Sequence, residues 1–465
     1  METIIQQYCL ELVKNIEKIL IFDEEQDLSS VCPKILEECK KTSKELVEKH
    51  IEYMNEKIRK DKYTRKSKGL SLKEKNISRS ILTCLGQIEY KRDNYYDSTN
   101  KKYIKPMDEI LGIKAYERIS IDIKAALVDK ATEYSYEKSK ALVGVDCISR
   151  QSVRNAILKS KIENISICKN RERKAVKELH IFADEDHVHT QKPNKEIGRK
   201  NQIVPMVSVS EGIKAISKSR RKTINIQHFV DKEFNTKDLW RIVDKYIQKN
   251  YDVGELEKLY IHADGGMWIK NGLEDYSQRV YVCDGFHVKK YLNTIRKIGD
   301  DKKIVKNLEK LIKENKKEEA KVLLEELVKS CEDERSNKRC ENVCKYIINN
   351  WEGIVNRYTL EVPGSCTEGQ ISHVLSERFS RHPMGWGKET LGKLSYLRVY
   401  KKNGKKIDKR IFEGEKNKEL ENIVERREKI NWEIFDNPKF IFDESSPSQK
   451  VVKSMGRMKI NCFGN

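Results

Sequence analysis

The stretch Leu179–Gln191, LHIFADEDHVHTQ, constrains the fold more than any other feature of the chain. Its apolar half asks for burial, yet it runs straight into Asp184, Glu185 and Asp186. Bunched carboxylates repel one another and resist leaving water. On a strand, Asp184 and Asp186 share one face, while Glu185, His187 and His189 take the other. The stretch therefore predicts a core strand with acids at its rim, which something must compensate. A divalent cation is the first candidate, since the chain as a whole is basic: 93 Lys plus Arg against 73 Asp plus Glu, net +20.

Two more acids sit where elements begin or end. Asp264 follows LYIHA and precedes Gly265 and Gly266, which let the chain turn sharply. Glu368 opens a helix in SCTEGQISHVLSERFS, where Ile371 and Leu375 share its face. The separations are 80 and 104 residues, so only tertiary folding unites the three. Carboxylates are hard oxygen ligands for Mg²⁺ or Mn²⁺, and two such ions about 3.5–4 Å apart serve phosphodiester chemistry. Each acid also has a plain reading: a solvated strand end, an Asp-Gly turn, and a Ser365–Glu368 capping box. Asp186 competes with Asp184, and Glu377 and Glu389 with Glu368.

Periodicity predicts helices to about residue 60, a basic patch, then a β-rich segment from about 76. Residues 131–160 have the layout of a helix-turn-helix: a helix ending near Gly144, then Ser149 capping a second helix that bears Arg150, Gln151, Ser152 and Arg154. Those four could reach DNA. From 178 the order is three strands, helix, strand, helix, strand, a charged helical insertion over 289–355, then the Glu368 helix. That order predicts an α/β fold, with a mixed sheet like the core of ribonuclease H interrupted by an all-helical insertion. The expected division is 1–75 helical, 76–175 DNA-binding, 176–288 first core part, 289–355 insertion, 356–415 second core part and 416–465 tail.

No apolar run approaches a membrane helix, and the N-terminus lacks signal-peptide features, which predicts a cytoplasmic protein. The twelve cysteines include no CxxC pair and read as reduced structural thiols; Cys340 and Cys344 make a poor zinc site. A zinc site of His187, His189 and Cys283 or His287 is the weaker metal reading. The basic excess suits a polyanion. SKSRRKT (217–223), with Arg220, Arg221 and Lys222, and YKKNGKKIDKR (400–410), with Lys401, Lys402, Lys405 and Lys406, are expected to bind phosphates. Trp386 is a candidate base-stacking residue.

IFADEDHVHTQ, YIHADGGMWIKNG, VYVCDGFHVKKYL and GSCTEGQISHVLSERFSRHPMGWGKETLGKLSYLRVYKKNG, in that order, resemble the ISLre-type bacterial insertion-sequence transposases, relatives of the Mutator-like DDE transposases. The upstream ILTCLGQIEYKRDNYYD fits as well, so the likeness runs from about 75 to 410. The resemblance implies a ribonuclease-H-like catalytic domain with a helical insertion between the second Asp and the Glu. It implies Asp184, Asp264 and Glu368 as ligands of two Mg²⁺ or Mn²⁺ ions, and Asp284 and His287 as a D-x-x-H signature on the strand after the second acid. It further implies double-stranded DNA as partner, both terminal inverted repeats and target, and a homo-oligomer at work. A nuclease of the same fold without strand transfer, or an inactive DNA-binding derivative, are the competing functions.

Overall fold

The structure, a computed structural model, describes residues 2–21, 27–162, 172–191, 201–217, 221–298, 302–331, 333–360, 362, 365–382 and 384–412. The expected tail 416–465 and Arg220 lie outside them.

Helices α1 (Glu2–Ile19) and α2 (Leu28–Lys60) pair at the N-terminus, with Asp27 capping α2 through the Ser30 N–H. After the short α3 (Lys62–Ser67), β1 (Leu70–Thr83), β2 (Gly86–Asp97) and β3 (Lys102–Ile104) form an antiparallel meander. The expected boundary at 75 thus falls inside β1: part of the basic patch is already strand. Ile51 of α2, Ile81, Ile88 and Tyr90 of the meander and Met107 of α4 (Pro106–Ile110) make a small separate core.

Helices α5 (Ile121–Ala131), α6 (Tyr136–Val143) and α7 (Arg150–Lys159) follow. Gly144 ends α6 in the left-handed region at φ +73°, where a side chain is strained. The Ser149 hydroxyl accepts from the Ser152 N–H to start α7. Val153, Ala156 and Ile157 bury one face of α7 in the main core, which leaves Arg150 and Gln151 exposed.

The central sheet has the order β10-β9-β4-β5-β8. Its strands are β4 (Glu178–His189), β5 (Asn201–Ser210), β8 (Gln227–Val230), β9 (Lys258–Ala263) and β10 (Arg279–Cys283). β5 runs antiparallel to both β4 and β8, whereas β9 and β10 run parallel to β4. The expected third strand over 218–230 is two elements. β7 (Arg221–Ile224) pairs with β6 (Gly212–Ala215) as a separate hairpin, and Asn225, at φ +48°, breaks the chain before β8. Buried Leu179, Ile181, Ala183, Val207, Val209, Leu259 and Ile261 form the sheet's core, each contributing about 1.5–3 kcal/mol for the larger aliphatics.

Helix α8 (Thr236–Asn250), capped by Asn235, links β8 to β9, and α9 (Met267–Lys270) follows β9. The insertion comprises α10 (Gly285–Ile298), α11 (Lys302–Lys313), α12 (Lys317–Lys329), α13 (Glu334–Asn349) and α14 (Trp351–Thr359), so it begins directly after β10 and runs past 355. The amphipathic helix expected over Ser365–Ser380 is broken: α15 (Thr367–Ile371), a π turn (Ser372–Ser376) and α16 (Glu377–Phe379). Helix α17 (Lys388–Lys402) closes the core. No helix among the described residues is long and apolar enough to cross a membrane.

Candidate active site

Register builds the site. β4 and β9 pair His180 with Tyr260 and Phe182 with His262; β9 and β10 pair His262 with Val282. Ring stacking of His180 on Tyr260 and Phe182 on His262 confirms that these side chains share a face. Two residues beyond Phe182, Asp184 shares that face of β4, while Asp264 and Asp284 follow directly after the carboxyl ends of β9 and β10.

Asp184 feels its neighbours. Burial pushes its carboxyl up to about 7, and the charges of Asp264, Glu368 and Glu185 add to the rise, against one stabilising bond from the Glu185 N–H at 2.8 Å. Asp264 is half-buried and accepts from the Gly266 N–H at 3.1 Å. Gly265, at φ +114°, lies so close to Asn350 that a Cβ would meet its amide oxygen at 2.8 Å, so the turn after Asp264 admits no side chain. Glu368 is exposed in the first turn of α15. The expected capping box is absent: Cys366 holds the cap position, and Ser365 instead bonds to Thr367.

The other acids are engaged. Asp186 accepts from the hydroxyls of Ser376 at 3.1 Å and Ser380 at 2.8 Å. Burial raises its pKa and the two serines oppose the rise. Both serines bond Asp186 Oδ1, while its buried Oδ2 has no partner among the described residues; the charges of Asp264 and Glu368 act on Asp184. Glu185 accepts from the Trp268 indole at 3.1 Å. Glu377 pairs with Arg398 at 3.1 Å, and Glu389, 68% exposed, with Lys393 at 3.8 Å. Asp284 is not on a strand: it follows β10 and accepts from the Phe286 N–H at 2.9 Å, which starts α10, and half-buried His287 lies in that helix's first turn. Ser376, Ser380, Trp268 and Asn350 escaped the sequence reading. Only the i, i+4 serine spacing carried a signal.

Among the described residues no three His, Cys, Asp or Glu side chains form a ready-made ion sphere. Of the zinc candidates, His187 lies 3.4 Å from Glu185 and Cys283 is buried against the Asn350 carbonyl. The charges of Asp264 and Glu368 act on Asp184, but the three do not close into such a sphere.

The family described as Uncharacterised protein family (UPF0236) matches residues 22–417. The chain belongs to this family. A UPF0236 protein of Caldanaerobacter subterraneus subsp. tengcongensis is 34% identical over 386 residues, 83% of this chain and 80% of its own length. Another from that organism is 33% identical over 407 residues, 87% and 84% of the two chains, and its name joins eleven locus designations. A UPF0236 protein of Streptococcus gallolyticus, named for the vanSb 3′ region, is 24% identical over 343 residues, 70% of this chain and 73% of its own.

The candidate DNA contacts of this UPF0236 chain separate into two groups. Exposed Gln151, Lys222, Lys402 and Lys406 and half-buried Ser152 and Arg154 lie on the surface or its edge, with Arg150 bonded to Glu137 at 2.8 Å. Lys401 is instead tied to Asp129 at 2.8 Å and Glu133 at 3.4 Å, and Lys405 lies over the Tyr400 ring. Arg221 reaches the Ser217 carbonyl at 3.2 Å. Trp386 corrects the stacking expectation. It is 5% exposed, packs edge-on against Phe379 and Tyr136 and donates to the Phe379 carbonyl, so no base can reach its face.

Proposed function

We propose that this chain is a DDE transposase, which cuts DNA at the ends of a mobile element and joins them to a target. The observation that carries the reading is Asp184: a half-buried carboxyl pushed up to about 7, with Asp264 and Glu368 as its charged neighbours. Such strain on an acid is what a cation-dependent site relieves on loading. Three features add support. The strand order β10-β9-β4-β5-β8, with β5 antiparallel to its neighbours, matches a ribonuclease-H-like sheet. Helices α6 and α7, joined at Gly144, fit a helix-turn-helix. A relative carrying eleven locus designations in one strain suits a self-copying or self-moving gene.

The donor set fits Mg²⁺ or Mn²⁺: hard carboxylates, with Asp184, Asp264 and Glu368 as the residues that would hold two ions. The bound ions supply Lewis-acid activation of the attacking oxygen and stabilise the leaving one. Asp184 would have to be ionised to hold an ion. A water oxygen then attacks phosphorus, the P–O3′ bond breaks, and a 3′-OH is released. That 3′-OH attacks a target phosphodiester and displaces a target 3′-OH, so no Ser or Tyr nucleophile enters. Gln151, Arg154 and the basic surface residues position the duplex, with two copies holding two element ends.

The test is cleavage of duplexes carrying the DNA that flanks the gene, with Mg²⁺, by wild type, Asp184→Ala, Asp264→Ala and Glu368→Ala. Cutting by wild type alone is expected, followed by joined products. Equal cutting by all four rejects the site. Cutting without joining supports the nuclease, and binding without cutting supports the inactive derivative.

A further inference from the structure

The helix bearing Glu368 changes gauge half-way along. An α-helix advances about 100° per residue, so on an unbroken helix Ser376 would lie about 80° and Ser380 about 120° round from Glu368. The π turn at Ser372–Ser376 inserts about one residue-step, so it removes about 100° from both angles. Ser376 and Ser380 then fall within about 20° on either side of Glu368's direction. This matters because β4 presents Asp184 and Asp186 on one face. The serines hold Asp186 at 3.1 and 2.8 Å, and the wide turn lets the same helix face carry Glu368 towards Asp184.

One side chain grips that turn. Arg398 of α17, 2% exposed, donates through Nε to the Val374 carbonyl and through Nη2 to the His373 carbonyl at 3.0 Å. Its Nη1 donates to the Thr132 carbonyl, at the end of α5, at 2.8 Å, and Nη2 also meets Glu377 at 3.1 Å. Arg378 adds a bond to the Ala131 carbonyl at 2.9 Å. A planar guanidinium with fixed donors is suited to clamp three carbonyls at once.

We propose that Arg398 is a positioning residue that locks the π turn and so aims Glu368 at Asp184, with α5, and through it α6 and α7, as the anchor. The proposal rests on the reading of Glu368 as an ion-holding acid. Docking of DNA on α6 and α7 would then be felt at Glu368 through a buried arginine rather than through solvent.

The test uses the full chain, with amide hydrogen exchange over residues 372–380 and titration with Mn²⁺. Arg398→Met is expected to speed exchange there more than tenfold and to weaken Mn²⁺ about 10- to 100-fold. Arg398→Lys, whose compact ammonium keeps the charge but lacks the planar fork that spans the three carbonyls, should fall between. Unchanged exchange and affinity in Arg398→Met overturn the lock. Deletion of His373, which returns the turn to α-helical gauge, should weaken Mn²⁺ as much, and adding Arg398→Met should then change nothing more. A deletion variant with wild-type Mn²⁺ affinity overturns the proposal even where Arg398→Met does not fold. A wild type that binds no Mn²⁺ instead defeats the transposase reading, and the exchange arm alone then decides the lock.

Discussion

Two aspartates, buried Asp93 in the N-terminal meander and half-buried Asp184 in the central sheet, meet the same physics with opposite results. The Asp93 side chain is 0% exposed, and burial alone would raise its pKa. Arg59 at 2.7 Å, the Asn76 N–H at 2.9 Å and Asn55 outweigh that cost and hold it below its ordinary value. Nearby, Asp108 is bonded by Tyr90 at 2.9 Å and Arg79 at 3.4 Å. Asp184 has one backbone N–H, and its charged neighbours are other acids. A carboxylate kept for structure comes with its partner; one kept for chemistry waits for a ligand from outside.

The sharpest way to break this comparison is catalytic. Asp184→Ala should lose at least about a thousandfold in DNA-end cleavage, whereas Asp93→Ala, assayed at a temperature where it stays folded, should cut nearly as well as wild type. Comparable losses would erase the distinction. Next in size, Arg59→Met leaves Asp93 buried without its cation and should cost about 3 kcal/mol in urea unfolding. The Asp93 contribution is present above its unfolded-state pKa near 4 and disappears as pH falls, so this cost should shrink towards pH 3.

Asp184 should show the reverse sign. Its folded-state pKa lies above its unfolded value, so stability drains away as pH rises from about 4 to 7. Asp184→Asn should therefore stabilise the ion-free protein by a few kcal/mol at pH 8 and by nothing at pH 3.5. Mn²⁺ added to wild type near pH 6.5 should release a proton that this variant does not, as seen by calorimetry in two buffers. The smallest effect belongs to exposed Lys402. Lys402→Ala should reduce the salt slope of DNA binding by about one and leave the Asp184 titration unmoved, unless a surface lysine compensates the acids after all.

Much of the fold was legible in local pattern. Strand alternation located β4, β9 and β10, and Gly144 with Ser149 marked the α6–α7 junction. The errors have local causes that a periodicity count misses. Asn225 in a left-handed conformation split one expected strand, and the π turn split one expected helix without leaving a Gly or Pro behind. Sequence left Trp386 open between base stacking and a core position, because its partners Phe379 and Tyr136 are not contiguous with it.

By itself the sequence determined which residues are acidic, where apolar runs end in them, and that Gly265 follows Asp264; these are properties of neighbours along the chain. Only the tertiary structure decided that Asp186 takes Ser376 and Ser380 on one oxygen while the charges of Asp264 and Glu368 act on Asp184. The reason is that alternation assigns a side chain to a face but not to a partner. Partners come from the parallel register of β4 with β9 and from a one-residue change of helical gauge, and both are settled between segments far apart in the chain.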